Sequence, residues 1–197
     1  MFNLILRNPK QTMAVSRAIL PHLEKSHTRA MRVKNRTKFA DLSKKNYFCR
    51  CMTEQAPTEK HLHRLITFPR AADARGNLCA VENGAELMPF RTERVFWISG
   101  VPAGQERGYH AHRLCSELLF AVQGSLDVEL TDSEGCVRYH LDSPEKGLFI
   151  PPMCWCRLLN FSQDALCVCL SDRPFEPNAY INDYELFEQE LLNHGKK

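Results

Sequence analysis

No apolar run in this chain of 197 residues approaches the roughly 20 residues that a bilayer-spanning helix needs. The opening stretch Met1-Phe2-Asn3-Leu4-Ile5-Leu6 is cut off by Arg7, too soon for the apolar core of a secretory signal. A membrane or secreted protein is therefore not expected, and the expected setting is the cytoplasm. Zinc-finger spacing is missing too. The nine cysteines include Cys49-x-Cys51, Cys154-x-Cys156 and Cys167-x-Cys169, but none is paired at the two-to-four-residue spacing of a ribbon or finger. Their odd number, with no signal sequence, argues against a disulfide framework and for reduced thiols. Cys167 and Cys169, in Ala165-Leu166-Cys167-Val168-Cys169-Leu170, read as small core residues of a strand.

Acidic residues are scarce at one end only. Residues 1–60 carry 13 Lys and Arg against 4 Asp and Glu, whereas residues 61–197 carry 13 against 19, so a formal net charge of +3 conceals halves of +9 and −6. The boundary near residue 60 separates a basic N-terminal extension, poorly ordered or partly helical, from a domain at 61–197. A helix is expected over 12–20, ended by Pro21. The basic stretch lacks interleaved aromatic residues and any nucleic-acid motif, so no nucleic-acid partner is expected.

From about His61 the pattern changes to short apolar runs between turn residues. Strands are expected at 78–81, 95–98, 109–112, 118–122 and 126–130. The turn Asp132-Ser133-Glu134-Gly135 joins the last of these to a strand at 136–141, and 147–150, 154–159 and 165–170 complete the set. Many short, evenly spaced strands argue for an all-β barrel or jelly roll, an architecture that protects sheet edges. Ile181, Tyr184, Leu186, Phe187 and Leu191, set among acids, predict one closing amphipathic helix over 180–192.

Within this pattern, His110 and His112 stand two residues apart, so on an extended strand both imidazoles face one side. Glu117 follows five residues later, and Gly104 and Gly124 flank the group. The order Gly-x5-His-x-His-x4-Glu-x6-Gly resembles the first signature of the cupin superfamily, which implies an RmlC-like jelly-roll barrel with His and Glu inside. The second signature, Pro-x-Gly-x2-His-x3-Asn, is matched in spacing by Pro151, Met153, Cys156 and Asn160, with Met153 in place of Gly and Cys156 in place of the third His. Two chemistries stay open. If the barrel holds a metal, its ligands are His110, His112, Glu117 and Cys156, a set suited to zinc or iron rather than magnesium. Otherwise Cys156 is an ordinary barrel residue and the histidines act by proton transfer alone.

A closer resemblance runs through Asp73-Ala74-Arg75-Gly76-Asn77-Leu78, Phe90-Arg91-Thr92-Glu93-Arg94-Val95-Phe96-Trp97-Ile98 and Arg107-Gly108-Tyr109-His110-Ala111-His112. It continues through Gln123-Gly124-Ser125, Leu141-Asp142-Ser143-Pro144 and Tyr180-Ile181-x-Asp183-Tyr184. Over roughly residues 64–192 the chain resembles the WxcM-like cupins, the dTDP-4-keto-6-deoxyhexose 3,4-ketoisomerases. The resemblance implies an isomerase that moves a sugar ketone from C4 to C3, with His110 and His112 as the catalytic pair and a dTDP-linked keto-sugar as substrate, in the synthesis of a deoxysugar for a surface polysaccharide. Members usually carry an amide near position 117, so Glu117 is a departure. The alternatives are a metal-dependent cupin, whether dioxygenase or epimerase-like, and a cupin that only binds a sugar nucleotide.

The implied chemistry suits the residues. Moving a ketone to the neighbouring carbon takes one proton off C3, passes through an enediolate and returns a proton at C4, so no cofactor is expected. An imidazole, with a reference pKa of about 6.5, accepts and donates protons near neutrality. The diphosphate calls for cations: Arg107 at a strand entrance, then Arg94 and Arg75, whose guanidinium forks match phosphate oxygens. Tyr109 and Trp155 are candidate stacking surfaces. Because a lone barrel exposes edge strands, a homodimer is expected.

Overall fold

The computed structural model describes residues 60–194. The basic extension and the expected helix at 12–20 lie outside them.

Twelve strands, a single 3-10 turn (Pro177–Ala179) and one α-helix are found among the described residues: β1 (Arg64–Thr67), β2 (Arg70–Asp73), β3 (Gly76–Cys79), β4 (Arg94–Ser99), β5 (Arg107–His112), β6 (Glu117–Gln123), β7 (Leu126–Asp132), β8 (Gly135–Leu141), β9 (Lys146–Ile150), β10 (Trp155–Leu159), β11 (Leu166–Ser171), β12 (Tyr180–Ile181) and α1 (Tyr184–His194). Ten of the strands form two five-stranded antiparallel sheets, ordered β1-β9-β6-β11-β4 and β12-β5-β10-β7-β8. The two sheets face each other as an all-β jelly-roll barrel. Its interior is filled by alternating residues from both, including Leu119, Ala121, Leu126, Val128, Leu130, Tyr139, Leu148, Cys167 and Cys169. The two-residue period that predicted these strands is the period at which side chains enter this core. The thiols at 167 and 169 are core residues, as their apolar neighbours imply.

Two cores flank the barrel. Phe68, Leu118 and Phe120 pack with Met88 and Phe90 on the outer face of the first sheet. Ala111, Trp155, Ile181 and Phe187 pack together on the outer face of the second, beneath α1. Burying the Phe187 ring there is worth about 1.5–3 kcal/mol.

The helix starts four residues later than its apolar pattern predicts. Tyr180 and Ile181 instead add a short strand against His112 and Ala111 of β5. Asp183 then begins the helix: its side chain accepts from the Leu186 amide at 2.9 Å and its carbonyl from the Phe187 amide at 3.0 Å, a cap that satisfies donors a helix start leaves open. Strands β1 and β2 escape the sequence pattern because their residues are almost all exposed, leaving no alternation to detect. Among the described cysteines six are free, while Cys136 is disulfide-bonded, a departure from the uniformly reduced thiols expected.

Strand β5 carries a bulge. Its register against β10 slips between Cys156 and Arg157, and Gly108 and Tyr109 both take positive φ, 85° and 60°. A Cβ at position 108 would stand 2.6 Å from the Cys156 carbonyl oxygen, so only glycine fits. Gly108→Ala is expected to cost on the order of 2 kcal/mol from the left-handed backbone and the clash together. Chemical denaturation checks this, and a loss below about 0.5 kcal/mol would show that β5 slides to accommodate the methyl group.

Candidate functional site

The bulge sets the aim of the histidines. Beyond it β5 resumes strict alternation, so Ala111 points out beneath α1 while His110 and His112 point into the barrel. Their rings meet edge to face with centroids 5.0 Å apart. Glu117 opens β6 on the facing sheet, in register with Ser171 of β11 and Ile150 of β9. Its Oε1 lies 3.3 Å from His112 Nε2, at ion-pair distance but off the line of a hydrogen bond. Ser171 donates its hydroxyl to the same oxygen at 3.3 Å. Arg94, at the start of β4, places Nη2 3.1 Å from the Ser171 hydroxyl and 3.5 Å from Glu117. Its guanidinium lies over the Phe96 ring at 5.0 Å and the Phe175 ring at 5.7 Å, cation–π contacts that hold it flat at the barrel mouth.

Electrostatics give these groups distinct characters. Burial pushes the His110 pKa below the ordinary histidine value, and the neighbouring His112 and Arg94 push it the same way, against a Gly108 backbone hydrogen bond and Glu117 that raise it. His110 is therefore a neutral base at pH 7. For Glu117, burial alone would favour the protonated acid, but His112, His110 and Arg94 outweigh it and hold the carboxyl below the usual range. It is a buried carboxylate paired on several sides.

Tyr180 is the residue that sequence reasoning missed. Its ring centroid lies 4.3 Å from that of His112 and 5.1 Å from that of His110, so it forms a wall against both imidazoles. Burial, the largest influence, raises its pKa and keeps the phenol protonated. The Tyr180-Ile181 run was visible as part of a resemblance, but only the pairing of β12 with β5 puts the ring on the histidines.

Of the residues expected in the site, the structure brings together His110, His112, Glu117 and Arg94. Ligand atoms of the first three lie within 4.8 Å of one another, so a metal-binding geometry exists there, without the Cys156 sulfur. Cys156 is buried among barrel aliphatics, and its thiol is pushed well up, away from the thiolate that ligation requires, by burial first and by Glu117 next. Trp155 does not reach the histidines. It precedes Cys156 by one residue and so faces the other way, into the α1 core, packed on Tyr184 and Phe187. Tyr109 also lies on the outer face, 48% exposed, its hydroxyl donating to Glu106 and its ring under the Arg157 guanidinium. Arg75 is exposed at the β2–β3 hairpin tip, ion-paired with Asp73. Arg107 is exposed at the start of β5, near the strand entrance where it was expected.

Comparison with known proteins places this arrangement in context. Residues 61–191 match the family described as FdtA: WxcM-like, C-terminal. The chain is 32% identical over 127 residues to TDP-4-oxo-6-deoxy-alpha-D-glucose-3,4-oxoisomerase from Aneurinibacillus thermoaerophilus, a match covering 64% of this chain and 91% of that one. Among solved structures it is similar to QdtA, a sugar 3,4-ketoisomerase from Thermoanaerobacterium thermosaccharolyticum in complex with TDP. There the TM-score is 0.65 at 27% identity, over 67% of this chain and 96% of that one. A 3,4-ketoisomerase from Helicobacter canadensis gives a TM-score of 0.63 at 31% identity, over 66% of this chain and 97% of that one.

Proposed function

The chain belongs to the WxcM-like, C-terminal (FdtA) family of cupin-fold proteins, and from that membership we propose the reaction its barrel performs. It is a sugar-nucleotide 3,4-ketoisomerase that converts a dTDP-4-keto-6-deoxyhexose to its 3-keto isomer, in deoxysugar and surface-polysaccharide synthesis. The observation that carries this reading is the pair of inward imidazoles backed by a buried carboxylate, in a chain similar to enzymes named for this isomerisation.

Each group has a task in that chemistry. His110, held neutral, takes the C3 proton. His112, its ring oriented by the Glu117 contact and the Tyr180 wall, carries the proton that returns at C4. The developing enediolate oxygen needs positive charge near it, and Arg94 is the cation nearest the pair. Arg107, exposed at the start of β5, is left for the diphosphate. The single test is an NMR time course with dTDP-4-keto-6-deoxyglucose in D2O, with and without chelator. Deuterium at C4 of a 3-keto product, unchanged by chelator, is expected. The absence of exchange would refute the isomerase reading, and exchange that chelator abolishes would instead favour a metal held by His110, His112 and Glu117.

The reading includes two further parts. The catalytic domain spans 61–197, preceded by the basic extension, and works in the cytoplasm. It works as a homodimer. Supporting this, β4 is an edge strand whose Val95 and Trp97 are 54% and 68% exposed, and the β2–β3 hairpin presents Leu78 at 63% exposure with no cover among the described residues. Trp97→Glu is expected to shift the protein from dimer to monomer by light scattering at micromolar concentration. A wild-type protein of monomer mass would remove the proposal.

A further inference from the structure

A second convergent cluster lies at the same end of the barrel as the histidine pair but on its opposite flank, where edge strand β1 of one sheet faces edge strand β8 of the other. His61 and His63 lead into β1, and Asp132 ends β7. The catalytic reading uses none of the three. His61 Nδ1 lies 2.9 Å from Asp132 Oδ2, and His63 Nε2 lies 3.4 Å from the same oxygen. One ligand atom from each residue falls within 4.8 Å of the others.

The hydrogen bonds around His63 raise a question of charge. This ring is fully buried, and its Nδ1 lies 2.8 Å from the Tyr139 hydroxyl oxygen. The same hydroxyl lies 3.3 Å from the His63 backbone carbonyl, an acceptor for its single proton. With the Tyr139 proton on that carbonyl, Nδ1 is the N–H that donates to Tyr139 and Nε2 carries the lone pair, the tautomer that a metal ligand needs. Nε2 has no hydrogen-bond partner, and it is aimed at a carboxylate oxygen. In that tautomer two acceptors face each other 3.4 Å apart, an arrangement that a cation between them satisfies.

We propose that His61 Nδ1, His63 Nε2 and Asp132 Oδ2 form a divalent transition-metal site of the zinc class, a clasp that ties the lead-in to β1 to the β7–β8 hairpin. Donor chemistry and spacing both favour that ion. Two imidazole nitrogens and one carboxylate oxygen are a zinc donor set, with a fourth tetrahedral position left for water. Bonds of about 2.0–2.2 Å set tetrahedral ligands about 3.3 Å apart, against the 2.9 and 3.4 Å found here. The surroundings are those of an oriented site. Tyr139 engages Nδ1 of His63 and leaves Nε2 facing Asp132, the placement that outer partners give ligating histidines. Asp132 is held as well, its other oxygen accepting from the Glu134 amide at 2.8 Å in the hairpin turn. The stacked rings of His61 and His63, with centroids 4.6 Å apart, already converge.

The test is zinc titration of the chelator-stripped full chain by calorimetry, with the melting temperature followed in parallel. Variants are His61→Ala, Asp132→Asn, which can keep the turn, and His110→Asn as a control at the other cluster. The proposal expects one equivalent of zinc that raises the melting temperature, at least tenfold weaker in His61→Ala and in Asp132→Asn, and unchanged in His110→Asn. Should His61→Ala fold poorly by circular dichroism, His61→Gln replaces it with the same expectation. Equal zinc affinity in wild type, His61→Ala and Asp132→Asn would overturn the proposal, as would loss of the equivalent in His110→Asn alone or no zinc-dependent rise in the wild type.

Discussion

His110→Asn is expected to lower turnover of a dTDP-4-keto-6-deoxyhexose by about 10²–10⁴, the range that a well-placed general base contributes. Asparagine keeps the ring's approximate volume and a hydrogen-bonding end, so the barrel and its nucleotide affinity should survive. The loss should therefore fall on kcat, with KM nearly unchanged. His112→Asn should cost a similar factor in product formation by a different route. If His110 takes the C3 proton and His112 supplies the proton at C4, the His112 variant still washes deuterium into C3 of unreacted substrate, whereas the His110 variant does not. Substrate exchange in the His110 variant and none in the His112 variant would reverse the two roles. Exchange and turnover that persist in both would remove the pair from the mechanism.

The distribution of these roles shows what a sequence can and cannot reveal. His110 and His112 were legible because alternation on β5 puts both on one face, and Glu117 because the resemblance to the cupin signature implied an inward carboxylate there. The barrel was legible for the same reason: a strand buried on one side records its burial every second residue. Residues that depend on partners distant in sequence were not. Tyr180 reaches the histidines through a two-residue strand with no periodicity of its own. The same limit applied in the opposite direction to Trp155 and Tyr109, whose aromatic character suggested a sugar-nucleotide surface. Their parity along β10 and β5 sends both to the outer face, and for Trp155 that face is covered by α1. Met153 is a mixed case. It stands where the cupin signature has glycine, and it adopts φ of 57° with its amide donating to the His112 carbonyl at 2.7 Å. A non-glycine residue thus holds a left-handed backbone at this position, at a strain of about 1–2 kcal/mol.

Glu117→Gln separates the carboxylate's electrostatic part from its shape, and two results are expected. Stability should fall on the order of 3 kcal/mol at pH 7, because Arg94 loses its buried counter-charge while amide and carboxylate fill the same space. That difference depends on pH with a definite sign. The folded-state pKa of Glu117 lies below its unfolded value of 4.5, so the carboxylate's contribution is complete above that value and disappears as the pH falls through the folded pKa. Denaturation curves of variant and wild type should thus converge in acid and separate above about pH 5. The second result concerns rate. Glu117 raises the His110 pKa, opposing the larger effect of burial, so removing its charge must lower that pKa further. The acid limb of kcat/KM, already expected below 6.5 in the wild type, should move to lower pH in the variant. A limb that moves upward, or stays where it was while stability falls, would show that Glu117 supports the fold without setting the charge on the base. A downward shift would show that the carboxylate sets the protonation of His110 across the width of the barrel.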